Sequence, residues 1–139
     1  MAEPFRTTRM VEFHDTDMAG IMHFASFFVY MESAEHELLR SLGLSVHNVI
    51  DGERVSFPRV SATCNYSAPA HCEEVLDIAI TVARLGATSV TYEFEFTHAG
   101  RRVALGSMTS VCCRISSDAP PQPRPVPPDM AQALQAFAA

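Results

Sequence analysis

Residues 11–28 read VEFHDTDMAGIMHFASFF, a carboxylate-bearing turn that leads directly into the start of a strongly apolar helix. A carboxylate beside a helix N-terminus brings a base or nucleophile close to backbone N–H groups, which can bind a developing oxyanion. The same composition is typical of an ordinary turn, in which Asp15 or Asp17 caps the helix or bonds to its own backbone. The segment is therefore a candidate site for acyl chemistry, with the plain turn as the alternative.

A helix is predicted from Ser26 to Leu42, immediately after this turn. Its apolar residues recur with helical spacing, whereas Glu35, Glu37 and Arg40 are expected to lie largely away from the apolar stripe. Gly43 follows where a left-handed C-terminal residue is favoured. The residues of the stripe, which should face the core, are Phe27, Met31, Ala34, Leu38 and Leu42.

Strand-like segments precede and follow the helix, and residues 46–52 are predicted to form a short helical or irregular connection. Apolar and polar residues alternate over residues 89–97, which indicates a strand with one buried face. Short connections predict antiparallel pairing, and the order of elements predicts an α+β protein in which a curved antiparallel β-sheet wraps around one long central α-helix. The predicted strands are residues 5–13, 57–66, 75–83, 89–97 and 103–115.

Two motifs carry a family resemblance. Residues 15–21 read Asp-Thr-Asp-x-Ala-Gly-Ile, residues 30–35 read Tyr-Met-Glu-x-Ala-Glu, and together they resemble the hotdog-fold acyl-CoA thioesterases of the 4-hydroxybenzoyl-CoA thioesterase family. The resemblance fades after about Gly106. It implies a hotdog fold and hydrolysis of an acyl-CoA thioester to free acid and coenzyme A. It also implies that Asp17 is the catalytic carboxylate and that the backbone N–H of Phe24 polarises the thioester carbonyl.

Other residues near the motif are candidates for secondary roles. His23 could orient the substrate or share a proton, although a lone histidine among apolar residues is more often a satisfied core or interface group. Glu32 is the alternative base, because other branches of hotdog thioesterases use a helical carboxylate. Asp17 could act as a nucleophile or as a general base, and the sequence favours neither role. The candidates for substrate binding are Gly20, Ser26, Phe27 and Arg59.

Length and composition predict one small domain. The chain has 139 residues, 47% of them hydrophobic, and a formal net charge of -6. We expect a single hotdog domain at residues 1–116 and a Pro-rich tail at residues 117–139 with a possible short helix. Scattered basic residues disfavour nucleic-acid binding. No signal pattern or membrane-spanning apolar run is found, which predicts a soluble, cytoplasmic protein that does not bind membranes.

The resemblance also bears on cofactors and partners. Glu32 and His36 lie one helical turn apart, but a structural metal site needs about four ligands, so neither a metal nor another cofactor is expected beyond the coenzyme A of the substrate. Four cysteines without C-x-x-C spacing predict free thiols. The family's active site lies at a subunit interface, which implies a homodimer or homotetramer. The alternative function is a non-catalytic hotdog protein that binds acyl-CoA or an acyl carrier protein.

Overall fold

A five-stranded antiparallel sheet and a 16-residue helix form most of the protein. The computed structural model describes residues 3–45 and 47–139. The strands of the large sheet lie in the order β1-β5-β6-β7-β4, and a smaller sheet has the order β2-β3-β8-β9. The elements are β1 (Phe5–Met10), a 3-10 turn (Phe13–Asp15), α1 (Ser26–Ser41), β2 (Asn48–Ile50), β3 (Glu53–Ser56), β4 (Arg59–Tyr66), β5 (Val75–Leu85), β6 (Ser89–His98), β7 (Arg101–Val111), β8 (Cys113–Arg114), β9 (Gln122–Pro123) and α2 (Pro128–Gln135).

The core lies on one face of the large sheet, where strands β5 and β6 supply alternating aliphatic and aromatic side chains. The two strands pair with Ile80 opposite Phe94 and Ile78 opposite Phe96, so the buried side chains meet across the ladder. This confirms the predicted antiparallel pairing and the buried face of residues 89–97. The buried side chains of the two strands are Leu76, Ile78, Ile80, Val82, Val90, Tyr92, Phe94 and Phe96.

Helix α1 begins at the predicted residue, Ser26, and ends at Ser41, one residue earlier than expected. Gly43 follows with φ of +78°, the left-handed conformation that its position predicted. The predicted apolar stripe is buried, apart from Leu42, which is half-buried. The prediction for Glu35 is wrong: this residue is 1% exposed. Its carboxylate forms an ion pair with Arg59 of β4, which allows a charged side chain on the buried face of the helix.

The connection after α1 also differs from the prediction. Strands β2 and β3 form a hairpin, where a helical or irregular segment was expected; Val46 lies outside the described residues. Asp51 and Gly52 at its tip have φ of +53° and +78°, as a tight hairpin turn requires. The first strand ends at Met10 and not at Phe13, because the chain turns into the 3-10 segment.

The C-terminal segment contributes a second helix, α2, within residues 117–139, where a possible short helix was expected; that α1 is the central helix of the fold stays a prediction. Val126, Met130 and Leu134 are buried, and the ring of Phe137 packs edge-on against Phe5 of β1. The α+β class and the antiparallel sheet are confirmed, whereas the predicted boundary at residue 116 stays a prediction. Neither α1 nor α2, the helices of the described residues, is long and apolar enough to cross a membrane.

The four cysteines are free thiols in different environments. Cys72 is exposed, Cys64 is half-buried, and Cys112 and Cys113 are buried. Burial raises the pKa of Cys64, Cys112 and Cys113 above the ordinary thiol value. Since the thiolate is the reactive form, these three should be the less reactive cysteines.

Candidate active site

Asp17 lies in a tight loop between the 3-10 turn and α1. Its N–H donates to the carbonyl of Ile21 at 2.9 Å, and its own carbonyl accepts from the N–H of Gly20 at 3.0 Å. Gly20 has φ of +80°, which favours glycine at this position. The carboxylate oxygen Oδ1 accepts from the N–H of Ala19 at 2.9 Å, the local bond expected of an ordinary turn. Oδ2 makes no hydrogen bond to the described residues, so half of the carboxylate is available for chemistry.

Asp15 holds this loop in place through hydrogen bonds. Asp15 is 6% exposed, and its Oδ2 accepts hydrogen bonds from the Tyr30 hydroxyl at 2.6 Å and the Glu12 N–H at 3.0 Å. Its main-chain carbonyl accepts from the N–H of His23 at 2.7 Å and from the Ser26 hydroxyl at 3.1 Å. Asp15 therefore contacts both the loop and the residues that open α1.

The backbone N–H of Phe24 lies in the turn before α1. His23 accepts from the N–H of Ala25 at Nδ1 (3.1 Å) and from the N–H of Ser26 at its carbonyl (2.9 Å). The N–H of Phe24, which lies between the bonded amides of His23 and Ala25 in the chain, donates to no described residue, and no side chain caps the helix. A free N–H beside the positive end of a helix dipole can bind an oxyanion.

Tyr66, the last residue of β4, fixes the other side of Phe24. Its hydroxyl donates to the Phe24 carbonyl at 2.9 Å. Burial is the largest cause that raises the pKa of Tyr66, to about 12, with a smaller contribution from Cys64, so the hydroxyl keeps its proton at neutral pH. The hydrogen bond therefore connects the end of the strand to the peptide group that follows the free N–H.

Asp17 and Phe24 border the same cleft, which has a volume of 440 Å³. Phe27 lines this cleft, and its ring packs edge-on against Tyr66, with ring centroids 5.2 Å apart, and against Phe96 at 5.3 Å. Most of the lining is apolar, as is typical of small-molecule sites. The cleft is lined by Asp17, Ile21, Met22, Phe24, Phe27, Tyr66, Ser67, Ala68, Pro69 and Ala70.

The structure brings some of the sequence-predicted residues together and separates others. Asp17, Phe24 and Phe27 line the cleft, while Gly20, His23 and Ser26 belong to the loop and turn beside it. Two candidates do not line it: Glu32, which is exposed on α1, and Arg59.

Arg59 lies instead in a small separate cleft with Glu35 and His36. Its guanidinium donates to the Glu35 carboxylate and, at 2.7 Å, to the carbonyl of Phe57. Burial raises the pKa of Glu35 to about 7, although Arg59 opposes this effect. Burial also lowers the pKa of His36.

Sequence reasoning missed the far wall of the cleft. Residues 66–70 lie over forty positions from Asp17 in sequence, and the two regions meet because the N–H of Met22 donates to the carbonyl of Ala70 at 2.7 Å. The sequence signals available were Pro69 and the end of a strand-like segment, which mark a loop but not its partner. The motif alone does not indicate the role of Asp15, because an ordinary turn and a catalytic loop would both place a carboxylate there.

One group of side chains could offer several ligand atoms to a metal ion. Potential donor atoms of Glu12, His14 and Asp15 lie within 4.8 Å of one another. Glu12 and His14 are exposed, and Asp15 already accepts two hydrogen bonds at Oδ2. The cluster thus has an ordinary structural explanation in the 3-10 turn.

Comparison with known proteins gives a consistent assignment. A family model described as the thioesterase-like superfamily matches residues 11–134. The chain belongs to the thioesterase-like superfamily. This membership confirms the prediction that the protein is a thioesterase. The family model continues beyond Gly106, where the motif resemblance fades, and extends into α2.

Individual thioesterases match most of the chain. The acyl-CoA thioester hydrolase YbgC of Escherichia coli is 28% identical over 109 residues, which is 78% of this chain and 81% of that protein. The crystal structure of a 1,4-dihydroxy-2-naphthoyl-CoA thioesterase from Synechocystis superposes with a TM-score of 0.84 at 27% identity, covering 94% of this chain and 95% of that one. The gentisyl-coenzyme A thioesterase BH1999 gives 0.82 at 28% identity, covering 94% and 99%. The hotdog fold is therefore confirmed.

Proposed function

We propose that this protein hydrolyses acyl-coenzyme A thioesters, with Asp17 as the catalytic carboxylate and the Phe24 N–H as the oxyanion donor. The acyl carbon–sulfur bond breaks, an oxygen from water joins the acyl carbon, and coenzyme A leaves as the thiol. Asp17 either attacks the carbonyl to give a mixed anhydride that water then opens, or removes a proton from the attacking water. This chemistry needs no metal or other cofactor.

The observation that carries the proposal is the shared cleft of Asp17 and Phe24. The unbonded Oδ2 of Asp17 and the unbonded N–H of Phe24 belong to residues that border the same apolar cavity. A carbonyl placed between them would meet a donor at its oxygen and a base or nucleophile at its carbon. The E. coli relative, named as an acyl-CoA thioester hydrolase, supports the same substrate class.

We further propose an aromatic acyl group, on the basis of the aromatic side chains at the start of α1 and around the cleft. The rings of Phe24, Phe27 and Tyr66 border the cleft, and edge-to-face contacts with a bound ring would stabilise an aromatic acyl group. The two thioesterases with similar structures are named for aromatic acyl groups, which supports this choice.

We also propose a homodimer or homotetramer, with α1 as the central helix of the hotdog subunit. Strand β4 is an outer strand of the large sheet. Val60 on β4 is 63% exposed and Phe24 beside the cleft is 62% exposed. An unpaired strand edge with apolar side chains favours association. Sedimentation velocity should give a dimer or tetramer, and a stable monomer would contradict the assembly proposal.

The test of the catalytic proposal compares wild type with Asp17→Asn on benzoyl-, short-chain and long-chain acyl-CoAs. Thioester absorbance is followed directly, because the protein's own four thiols would react with thiol reagents. Asp17→Asn should lose at least about a hundredfold in kcat. Asp77→Asn, which alters an exposed aspartate on β5, is the matched control and should keep wild-type rates.

Each alternative gives a different result. Equal rates for wild type and Asp17→Asn would remove Asp17 from the chemistry, and loss of activity in Glu32→Gln would then identify the helical carboxylate as the base. Binding of acyl-CoA without turnover of any thioester would instead support the non-catalytic binding protein. Preference for straight-chain over benzoyl substrates would contradict the aromatic acyl group alone.

A further inference from the structure

The phenol of Tyr30 is the most deeply buried polar group next to the Asp17 loop. Tyr30 is 0% exposed and lies on the first turns of α1. Its hydroxyl is within hydrogen-bond distance of two acceptors, Asp15 Oδ2 at 2.6 Å and the carbonyl of Met10 at 3.1 Å. The Asp15 contact is the shorter, so the phenol connects the helix to the carboxyl group at the base of the loop.

Neighbouring groups hold the tyrosine in one position. The guanidinium of Arg9 lies 4.4 Å from the centre of its ring, within the range of a cation–π contact, and donates to Ser33 Oγ at 2.5 Å. Burial, followed by the bond to Asp15, raises the pKa of Tyr30 above the ordinary phenol value. The hydroxyl therefore stays protonated and can donate throughout the neutral pH range.

Asp15 forms hydrogen bonds to residues on both sides of the proposed site. Through Oδ2 it also accepts from the N–H of Glu12, which precedes the 3-10 turn leading to Asp17. Through its carbonyl it accepts from the N–H of His23, the residue before Phe24. Movement of Asp15 would therefore change the separation between the Asp17 carboxylate and the Phe24 N–H.

We propose that Tyr30 and Asp15 are positioning residues that set the distance between the Asp17 carboxylate and the Phe24 oxyanion donor. Neither residue lines the cleft, so neither is assigned a contact with substrate. The proposal rests on the assignment of Asp17 and Phe24 to catalysis. Small errors in the alignment of reacting groups are costly in rate, since about 1 Å of displacement can cost about a hundredfold.

The test is Tyr30→Phe, which removes one oxygen atom and leaves the packed ring. We expect kcat to fall about tenfold to a hundredfold while KM changes less than about twofold, because the cleft itself is unaltered. Tyr92→Phe is the matched control. Tyr92 is also almost fully buried, at 1% exposed, but it lies on β6 and does not line the cleft, so loss of its hydroxyl should leave kcat unchanged.

A double-mutant cycle separates positioning from general destabilisation. In an Asp17→Asn background, measured in single turnovers at high enzyme concentration, Tyr30→Phe should cause no further loss, since there is no carboxylate left to align. Asp15→Asn keeps an oxygen that can accept from Tyr30 and should retain kcat within about fivefold. An equal loss in both backgrounds, a rise in KM with constant kcat, or wild-type kcat in Tyr30→Phe would each overturn the proposal.

Hydrogen exchange on the wild-type protein provides a test that does not depend on the folding of any variant. The amides of Glu12 and His23 should exchange as slowly as those of the core strand β6, because both donate to Asp15. Fast exchange at these two amides would refute a rigid support. If Asp17→Asn is fully active, the catalytic assignment of Asp17 fails; if only Tyr30→Phe is fully active, that assignment stands and this inference fails.

Discussion

The buried carboxyl group of Glu35 should make the free energy of unfolding fall as the pH rises. Glu35→Gln should remove this dependence on pH. Glu35 is 1% exposed, and burial raises its pKa from 4.5 to about 7 against the opposing effect of Arg59. Because the folded protein holds the proton more tightly than the unfolded chain, the stabilisation is fully present below pH 4.5. It is lost as the pH rises to about 7.

The size of the effect follows from the separation of the two pKa values. Each pH unit between them contributes about 1.4 kcal/mol, so the free energy of unfolding should fall by up to about 3 kcal/mol between the two limits. Other titrating groups contribute equally to wild type and Glu35→Gln, apart from two that interact with Glu35: His36, whose Nε2 lies 3.8 Å from the carboxylate, and Glu32, whose charge also acts on it. The difference between the two proteins therefore isolates this cluster.

The assay is urea unfolding from pH 5 to pH 8 at one fixed protein concentration, followed by far-UV circular dichroism because the chain has no tryptophan. Wild type should lose stability relative to Glu35→Gln as the pH rises. Glu93→Gln, an exposed change on β6, should give a difference that does not vary with pH. A relative gain for wild type with rising pH would refute the reasoning, because the Arg59 ion pair would then outweigh burial.

Three further substitutions test other parts of the structure. Tyr66→Phe removes the hydrogen bond to the Phe24 carbonyl, worth about 1 kcal/mol, and should lower kcat/KM about fivefold in steady-state assays; an unchanged value would contradict a role for this bond. Leu134→Ala truncates a fully buried side chain of α2 and should reduce the free energy of unfolding by about 3 kcal/mol in urea, whereas no effect would show that the C-terminal helix is not part of the core. Gly106→Val places a side chain against Met31 and should cost about 2 kcal/mol by the same measurement, and wild-type stability would mean that the core can adapt.

Most of the fold could be predicted from local patterns in the sequence. The alternation at residues 89–97 and the glycine after α1 report on short-range geometry, and both were read correctly. The hairpin of β2 and β3 was not predicted because its strands have only three and four residues. Such short strands show no clear alternation of apolar and polar residues. The prediction for Glu35 is wrong because helical spacing identifies a buried face only by its apolar residues. A charged residue can also be buried when a strand distant in sequence supplies its partner.

The candidate site also has one part that the sequence predicts and another that it does not. The loop of Asp17 and the start of α1 are contiguous in sequence, so the motif alone was enough to propose them. The opposite wall at residues 66–70 depends on the pairing of strands and on one backbone hydrogen bond from Met22. The support from Tyr30 depends on a contact between residues fifteen positions apart, which no spacing rule indicates.

The exposed thiol of Cys72 offers a natural attachment point for a fluorescent label. It lies two residues beyond Ala70, which lines the cleft, while the other three cysteines are half-buried or buried and have raised pKa values. A maleimide fluorophore added at neutral pH should therefore attach first at Cys72, two residues from the wall of the cleft. Occupancy of the cleft could then be read as a change in emission from the natural sequence, with no residue replaced.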